Sequence, residues 1–162
     1  MDVLRAALAE AKNGRGQIAS LAGEPGIGKT RIAQELARHA ESDGGRVLWG
    51  RCYEGEGAPP YWPWIEPVRA YILSIDAEKL RHQMGQGASI ISGLFPEVTE
   101  ILGELPAAPT LEPDQARFRL FDAITAFLKN AAAEQHLLFV LDDLHWADEL
   151  TLARAFEGRQ EF

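Results

Sequence analysis

Apolar residues along the chain alternate between two spacings, and the changes of spacing mark out its elements. Val3, Leu4, Ala7, Leu8 and Ala11 recur at helical spacing over residues 1–13, and Gly14 and Gly16 then interrupt the pattern, which predicts a short amphipathic helix. Residues 18–22 form a brief apolar run that ends in a glycine-rich stretch. From Lys29 onward, Ile32, Ala33, Leu36, Ala37 and Ala40 return to helical period, so the predicted order is strand, loop, helix. After the turn signal Asp43-Gly44-Gly45, residues 46–52 read as a second strand through Val47, Leu48 and Trp49.

Regularity breaks over residues 53–63, where Gly and Pro recur and Pro60, Tyr61, Trp62, Pro63 and Trp64 make a rigid aromatic turn. Short helices are predicted over 65–75, 76–84 and around 89–105, separated by Gly85, Gly87, Gly93 and Pro96. Pro106, Pro109 and Pro113 mark a connector. Beyond it Asp114 is placed to cap a long helix bearing Phe118, Phe121, Ile124 and Leu128 on one face. The last clear element is the continuous apolar run over 137–141, closed by Asp142 and Asp143, as expected for a strand buried on both faces. There is no internal repeat and no low-complexity segment.

Composition narrows the class. The 162 residues are 46% hydrophobic and 25% charged, which suits one globular domain with a real core. A formal net charge of -8 argues against general attraction to nucleic-acid backbones or anionic membranes, so neither direct nucleic-acid binding nor a membrane partner is expected. Any polyanion must be bound by local geometry. Cys52 is the single cysteine, so no internal disulfide forms, and no apolar run approaches the roughly 20 residues that span a bilayer. With no leader-like start, a cytoplasmic location is expected.

The chemistry concentrates in Gly23-Glu24-Pro25-Gly26-Ile27-Gly28-Lys29-Thr30, which fits the phosphate-loop pattern G-x-x-x-x-G-K-[ST] without a mismatch. Gly23, Gly26 and Gly28 let the backbone curl so that successive N–H groups face one point, where an anion is welcome. The helix that starts near Lys29 adds the positive end of its dipole, the Lys29 ammonium reaches the outer phosphates, and the Arg31 amide continues the cradle. The Thr30 hydroxyl is a magnesium ligand in this reading. The second half of such a site is an acid at the end of another buried strand, because magnesium bridging phosphates needs hard oxygens. Asp142 supplies the metal carboxylate, commonly through a water, and Asp143 is placed to orient or deprotonate an attacking water. Expected cofactors are ATP and Mg2+.

Taken together, GEPGIGKTRIAQELA and LLFVLDDLHWAD resemble the nucleotide-binding domain of the bacterial signal-transduction ATPases with numerous domains (STAND), in the Orc1-like AAA group of large LuxR-type regulators and some adenylate cyclases. GRCYEGEGAPPYWPW and PDQARFRLFDAITAFL resemble that group as well, and LDDLHWAD is the most specific piece. The resemblance implies an ATP-driven switch that acts with other domains or subunits of a larger regulatory ATPase and resets by slow hydrolysis. Gly28, Lys29 and Thr30 match its phosphate loop, Asp142 its metal carboxylate and Asp143 its adjacent catalytic acid, while His145, Trp146 and Asp148 match further motif positions. The segment that precedes the family's first helix, and the sensor strand, winged helix and repeats that come after the Asp-Asp motif, have no counterpart in these residues. The expectation is therefore a partial domain over 1–162, truncated at both ends, with impaired catalysis. Without the sensor strand, the strand of the phosphate loop and the strand of Asp142 either pair directly or leave backbone groups unpaired.

The fold expected is thus an α/β P-loop domain, with a parallel sheet, helices on both faces and a helical insertion over residues 53–113. Three functions remain open: an ATPase switch in signalling or transcriptional control, a nucleotide-binding module without useful catalysis, and an inert fragment. Tyr61, Trp62 and Trp64 either stack on a base or pack over the sheet edge, and Arg117 and Arg119 either meet a phosphate or a neighbouring domain or form a solvated helix face. Cys52 reads as a small buried hydrophobe.

Overall fold

A computed structural model describes residues 1–52 and 62–144. The chain divides into two compact units, one formed by residues 1–67 together with the segment beginning at His136, the other by Val68–Gln135.

The first unit is a small α/β layer. Helix α1 (Asp2–Lys12) buries Leu8, and helix α2 (Lys29–Ser42) buries Ala37 and Ala40. Strand β1 (Arg46–Arg51) and strand β2 (Leu137–Asp142) pair in parallel, with Arg46 opposite Leu137 and Arg51 opposite Asp142. Backbone bonds bracket the ladder at both ends: the Arg46 N–H donates to the His136 carbonyl and the Cys52 N–H to the Asp142 carbonyl, at 2.9 and 3.1 Å. Helix α2 contacts both strands, and its small Ala37 and Ala40 allow that close approach. The Trp64 ring packs on Phe139 of β2 with ring centroids 5.7 Å apart. Cys52 is buried, as its sequence context suggested. Where α2 ends, the Lys12 ammonium bonds the Asp43 carboxylate and holds its pKa below the usual carboxylate range.

The strand expected over residues 18–22 does not form. That stretch is exposed and irregular, and among the described residues no backbone hydrogen bond reaches residues 16–22. A strand is an extended segment held by a neighbour, and β2 is hydrogen-bonded to β1 instead. Of the two arrangements considered from sequence, direct pairing of this stretch with β2 is therefore absent, and water can reach its amides.

The second unit is helical. It holds the end of α3 (Trp62–Ile72), α4 (Ala77–Met84), a 3-10 turn at Gly85–Gly87, α5 (Ala88–Ile91), α6 (Glu97–Leu102) and α7 (Pro113–Glu134). Asp76 caps α4 by accepting the Lys79 N–H at 2.8 Å. Tyr71, Ile72, Leu80, Ile91, Phe95, Val98 and Phe127 form its core. Gln83 is buried among them, accepting from the Tyr71 hydroxyl at 3.0 Å through its side chain and from Asn130 at 2.8 Å through its carbonyl. The unit spans Val68–Gln135 and takes in α7.

Two details of α7 depart from the sequence reading. Its N-cap is Glu112 with Pro113 at the first helical position, so Asp114 lies in the first turn and caps nothing. Its buried stripe is Ala123, Phe127 and Ala131, while Phe118 is 72% exposed. Periodicity located the helix and misjudged how far along it the packed neighbours extend.

The pair Lys79–Glu134, 3.1 Å apart, supplies a pH test. The Lys79 hydrogen bond, then that of Gln83, lowers the Glu134 pKa, and the Glu134 hydrogen bond raises that of Lys79. A lowered carboxylate stabilises above its ordinary pKa of 4.5 and loses that contribution as pH falls through the folded value. A raised ammonium stabilises below 10.5 and loses its contribution as pH rises through the folded value. Lys79→Met is expected to lower the melting temperature between those limits and to converge with wild type in strong acid, as a melting series across pH will read.

Candidate functional site

The glycine-rich stretch from Gly23 to Gly28 leads straight into α2. Gly26 and Gly28 hold left-handed φ angles of 80° and 101°, which L side chains adopt only with strain, and Gly28 is the N-cap of the helix. The first bond reaching back into that cap runs from the Ile32 N–H to the Gly28 carbonyl at 3.0 Å. The amides of Gly28, Lys29, Thr30 and Arg31 therefore lie at the open end of α2 without an intrahelical acceptor. An open helix end with four such donors is a ready anion site.

The lysine sits over the same loop. Lys29 Nζ donates to the Gly23 carbonyl at 2.9 Å and to the Glu24 carbonyl at 3.0 Å, which folds its charge back toward the curled backbone. Glu24 also accepts from the Ile27 N–H at 3.4 Å, closing a turn around Pro25 and Gly26. Ile27 is 69% exposed at the loop tip.

Strand β2 delivers the acids. Thr30 Oγ1 lies 3.4 Å from Asp142 Oδ1 and donates to it, so residues far apart in sequence meet where α2 begins and β2 ends. The Asp143 N–H also donates to Asp142 Oδ1, at 3.0 Å. Asp143 leaves the strand with φ 57°, a left-handed conformation that Asp tolerates better than most residues, and its Oδ2 lies 4.0 Å from Arg51 Nε. Arg51 had no role in the sequence reading. It ends β1 opposite Asp142, and only the strand register brings it to this edge.

The donor set suits a hard divalent cation. Thr30 and Asp142 offer neighbouring oxygens, and among the described residues no group of three or more His, Cys, Asp or Glu forms a complete protein cage. Magnesium needs no such cage, because it keeps waters and takes phosphate oxygens as ligands.

The other candidates make contacts of their own or fall outside the described residues. Trp64 packs on β2, and Trp62 opens α3. Arg117, in the helical unit, pairs with Asp114 at 3.6 Å one turn away, and Arg119 is exposed. Tyr61, His145, Trp146 and Asp148 fall outside the described residues. No helix among the described residues is long and apolar enough to cross a membrane.

Comparison with known proteins places the chain in a family. The chain is similar to an uncharacterized protein of Rhizobium meliloti (strain 1021), 22% identical over 148 residues, a match covering 83% of this chain and 14% of the relative. The chain thus corresponds to a small part of that relative's length. No solved structure matches it. The family model for the AAA ATPase domain matches residues 1–157. The chain belongs to the AAA ATPase domain family, and with that membership comes nucleotide binding.

Proposed function

We propose that this domain binds ATP with magnesium and serves as the switch module of a larger STAND-type regulatory ATPase in signalling or transcriptional control. The observation that carries the reading is the convergence of three features: the open amides at the start of α2, the Lys29 ammonium over the loop, and the Thr30–Asp142 contact at 3.4 Å. The loop over residues 23–31 cradles the phosphates, chiefly through the open backbone N–H groups of Gly28, Lys29, Thr30 and Arg31, and Lys29 moves from its two carbonyl acceptors to the outer phosphates. Bound magnesium would neutralise phosphate charge beside Thr30 and Asp142. Asp143 orients a water toward the terminal phosphate and accepts its proton, so that slow hydrolysis resets the switch. A setting within a longer chain is in keeping with the 14% of the Rhizobium protein that this chain covers.

The test is a titration with a fluorescent ATP analogue, with and without EDTA. Wild type is expected to lose roughly tenfold or more in affinity when magnesium is removed, and Thr30→Ala to lose most of that metal dependence. Equal affinity of wild type under both conditions would exclude a magnesium-bridged triphosphate.

A second reading, nucleotide binding without useful turnover, is favoured by the unpaired stretch 16–22. That stretch leads into the phosphate loop, and no strand partner holds it among the described residues. Phosphate release no faster than that of Lys29→Ala, alongside retained affinity, would select it.

A further inference from the structure

We propose that the first two turns of α7 are a contact surface for a second copy of this chain, the two helices pairing in parallel about a two-fold axis as a coiled coil one heptad long. The inference is independent of the nucleotide reading, since it uses no residue of the phosphate loop or of the strand ends.

Its starting point is a helix face without a neighbour. Every residue from Glu112 to Arg119 is exposed, and burial along α7 begins only at Ala123. On this stretch Phe118 is 72% exposed, and together with Leu111, Asp114, Gln115 and Arg119 it lines an open hollow of about 450 Å3, room enough for a second aromatic ring.

The spacing of those five residues says what fits there. Taking Gln115 as position a of a heptad puts Phe118 at d, Arg119 at e, Asp114 at g and Leu111 at the preceding d. These are the positions through which two parallel helices meet: a and d form the seam, and g of one helix faces the following e of the other. In such a pair Phe118 packs on its own counterpart, and Asp114 of each copy faces Arg119 of the other on both flanks. An antiparallel pair would hold Asp114 and Arg119 on opposite flanks of the seam, so the charges select the parallel arrangement. Both charges are accessible: Asp114 is 95% exposed at a loose 3.6 Å from Arg117, and Arg119 has no ion pair among the described residues. Gln115 at a is a polar seam residue of the kind that fixes register at some cost in strength. Asp122, at the next a, would face its own counterpart, so like charge ends the seam where Ala123 begins the buried stripe.

Beyond that point α7 packs on α4 and α5, so pairing orders no new backbone. The contact is small all the same. One heptad buries less than the roughly 1,200 Å2 of a standard interface, which sets the expected Kd on the order of 100 µM.

The experiment is sedimentation velocity on the full chain from about 10 µM to about 1 mM, a range that brackets this Kd. Phe118→Ala is expected to raise Kd at least about tenfold. Asp114→Lys and Arg119→Glu are each expected to raise it about fivefold or more, because like charges then meet on both flanks. An equimolar mixture of those two variants should return association to within about twofold of wild type, since each flank again joins opposite charges. Melting temperatures close to wild type check that these exposed substitutions leave the fold intact, and if Phe118→Ala unfolds, the charge mixture still decides. Under oxidation Gln115→Cys should form a linked dimer faster than Arg117→Cys, which sits at the outward c position, while Cys52 is buried. Three results would overturn the proposal: a wild type that stays monomeric at every concentration, which leaves this face to another part of a longer chain or to a different protein; a mixture that associates no better than its components; or Gln115→Cys linking no faster than Arg117→Cys.

Discussion

Replacing Lys29 with alanine is expected to abolish most of the rise in melting temperature that ATP and magnesium give the wild type. A ligand that binds only the folded state at a hundred times its Kd stabilises by about 2.7 kcal/mol, which is several degrees for a domain of this size. Hydrogen bonds to charged groups contribute about 1.5–3 kcal/mol each, so losing the ammonium, at the upper end of that range, should weaken ATP by roughly a hundredfold and leave about 0.4 kcal/mol of the stabilisation at the same nucleotide concentration. The unliganded protein should change little, because the carbonyls of Gly23 and Glu24 that accept from Lys29 are themselves exposed and water can replace the ammonium. Differential scanning fluorimetry with and without ATP–magnesium reads both quantities. A full shift retained in Lys29→Ala would place the nucleotide away from the start of α2.

The largest expected effect on stability belongs to Gly50, in the middle of the sheet layer. A Cβ at this position would lie 1.9 Å from the Pro63 carbonyl oxygen and 2.9 Å from its carbon, with Leu141 Cδ2 at 3.0 Å. The nearest obstacle is backbone, which cannot swing aside as a side-chain tip would, and Pro63 belongs to α3. Gly50→Ala is therefore expected to lower the unfolding free energy by about 3 kcal/mol, at the upper end of overpacking costs, and to move the urea midpoint accordingly. Gly87 makes the comparison sharp: a Cβ there meets the Ala123 Cβ at 3.2 Å, with the Ala123 Cα and Ile91 Cδ1 at an ordinary 3.7 Å, so Gly87→Ala should stay within about 1 kcal/mol of wild type. Equal midpoints for Gly50→Ala and wild type would show that α3 does not press on β1 in this way.

The two predictions probe different edges of one layer, and they explain why the site depends on packing outside the motif. The phosphate loop leads into α2, α2 rests on both strands, and the strand ends carry Asp142 and Arg51. A substitution that loosens β1 from Pro63 should therefore also blur the Thr30–Asp142 contact. The residues that touch a phosphate are few, and the ones that keep them in register are many.

How much of this was legible in the chain beforehand differs from element to element. The turn and helix around Gly23 to Ser42 could be read directly, because left-handed glycines and a helix start are demands of the local backbone that particular residue types answer. The two strands that form were legible too, as short apolar runs rich in Val, Leu and aromatic residues. The apolar run over 18–22, Ile-Ala-Ser-Leu-Ala, also read as a strand and forms none. A short apolar run does not make a strand by itself, because a strand exists only where another backbone accepts its hydrogen bonds. Phe118 failed for a related reason: helical period says which side chains share a face, while burial requires a neighbour on that face.

By itself, then, the order of residues determined the features that neighbours along the chain impose on one another. These are the curl of the glycine-rich loop, the start of α2, the cap of α4 by Asp76 and the apolar runs that become β1 and β2. Only the tertiary structure decided which strand pairs with which, that Thr30 meets Asp142, and that Arg51 stands beside Asp143. Those contacts join residues dozens of positions apart, and strand register and helix packing set them through hydrogen bonds and burial that no short window of sequence contains.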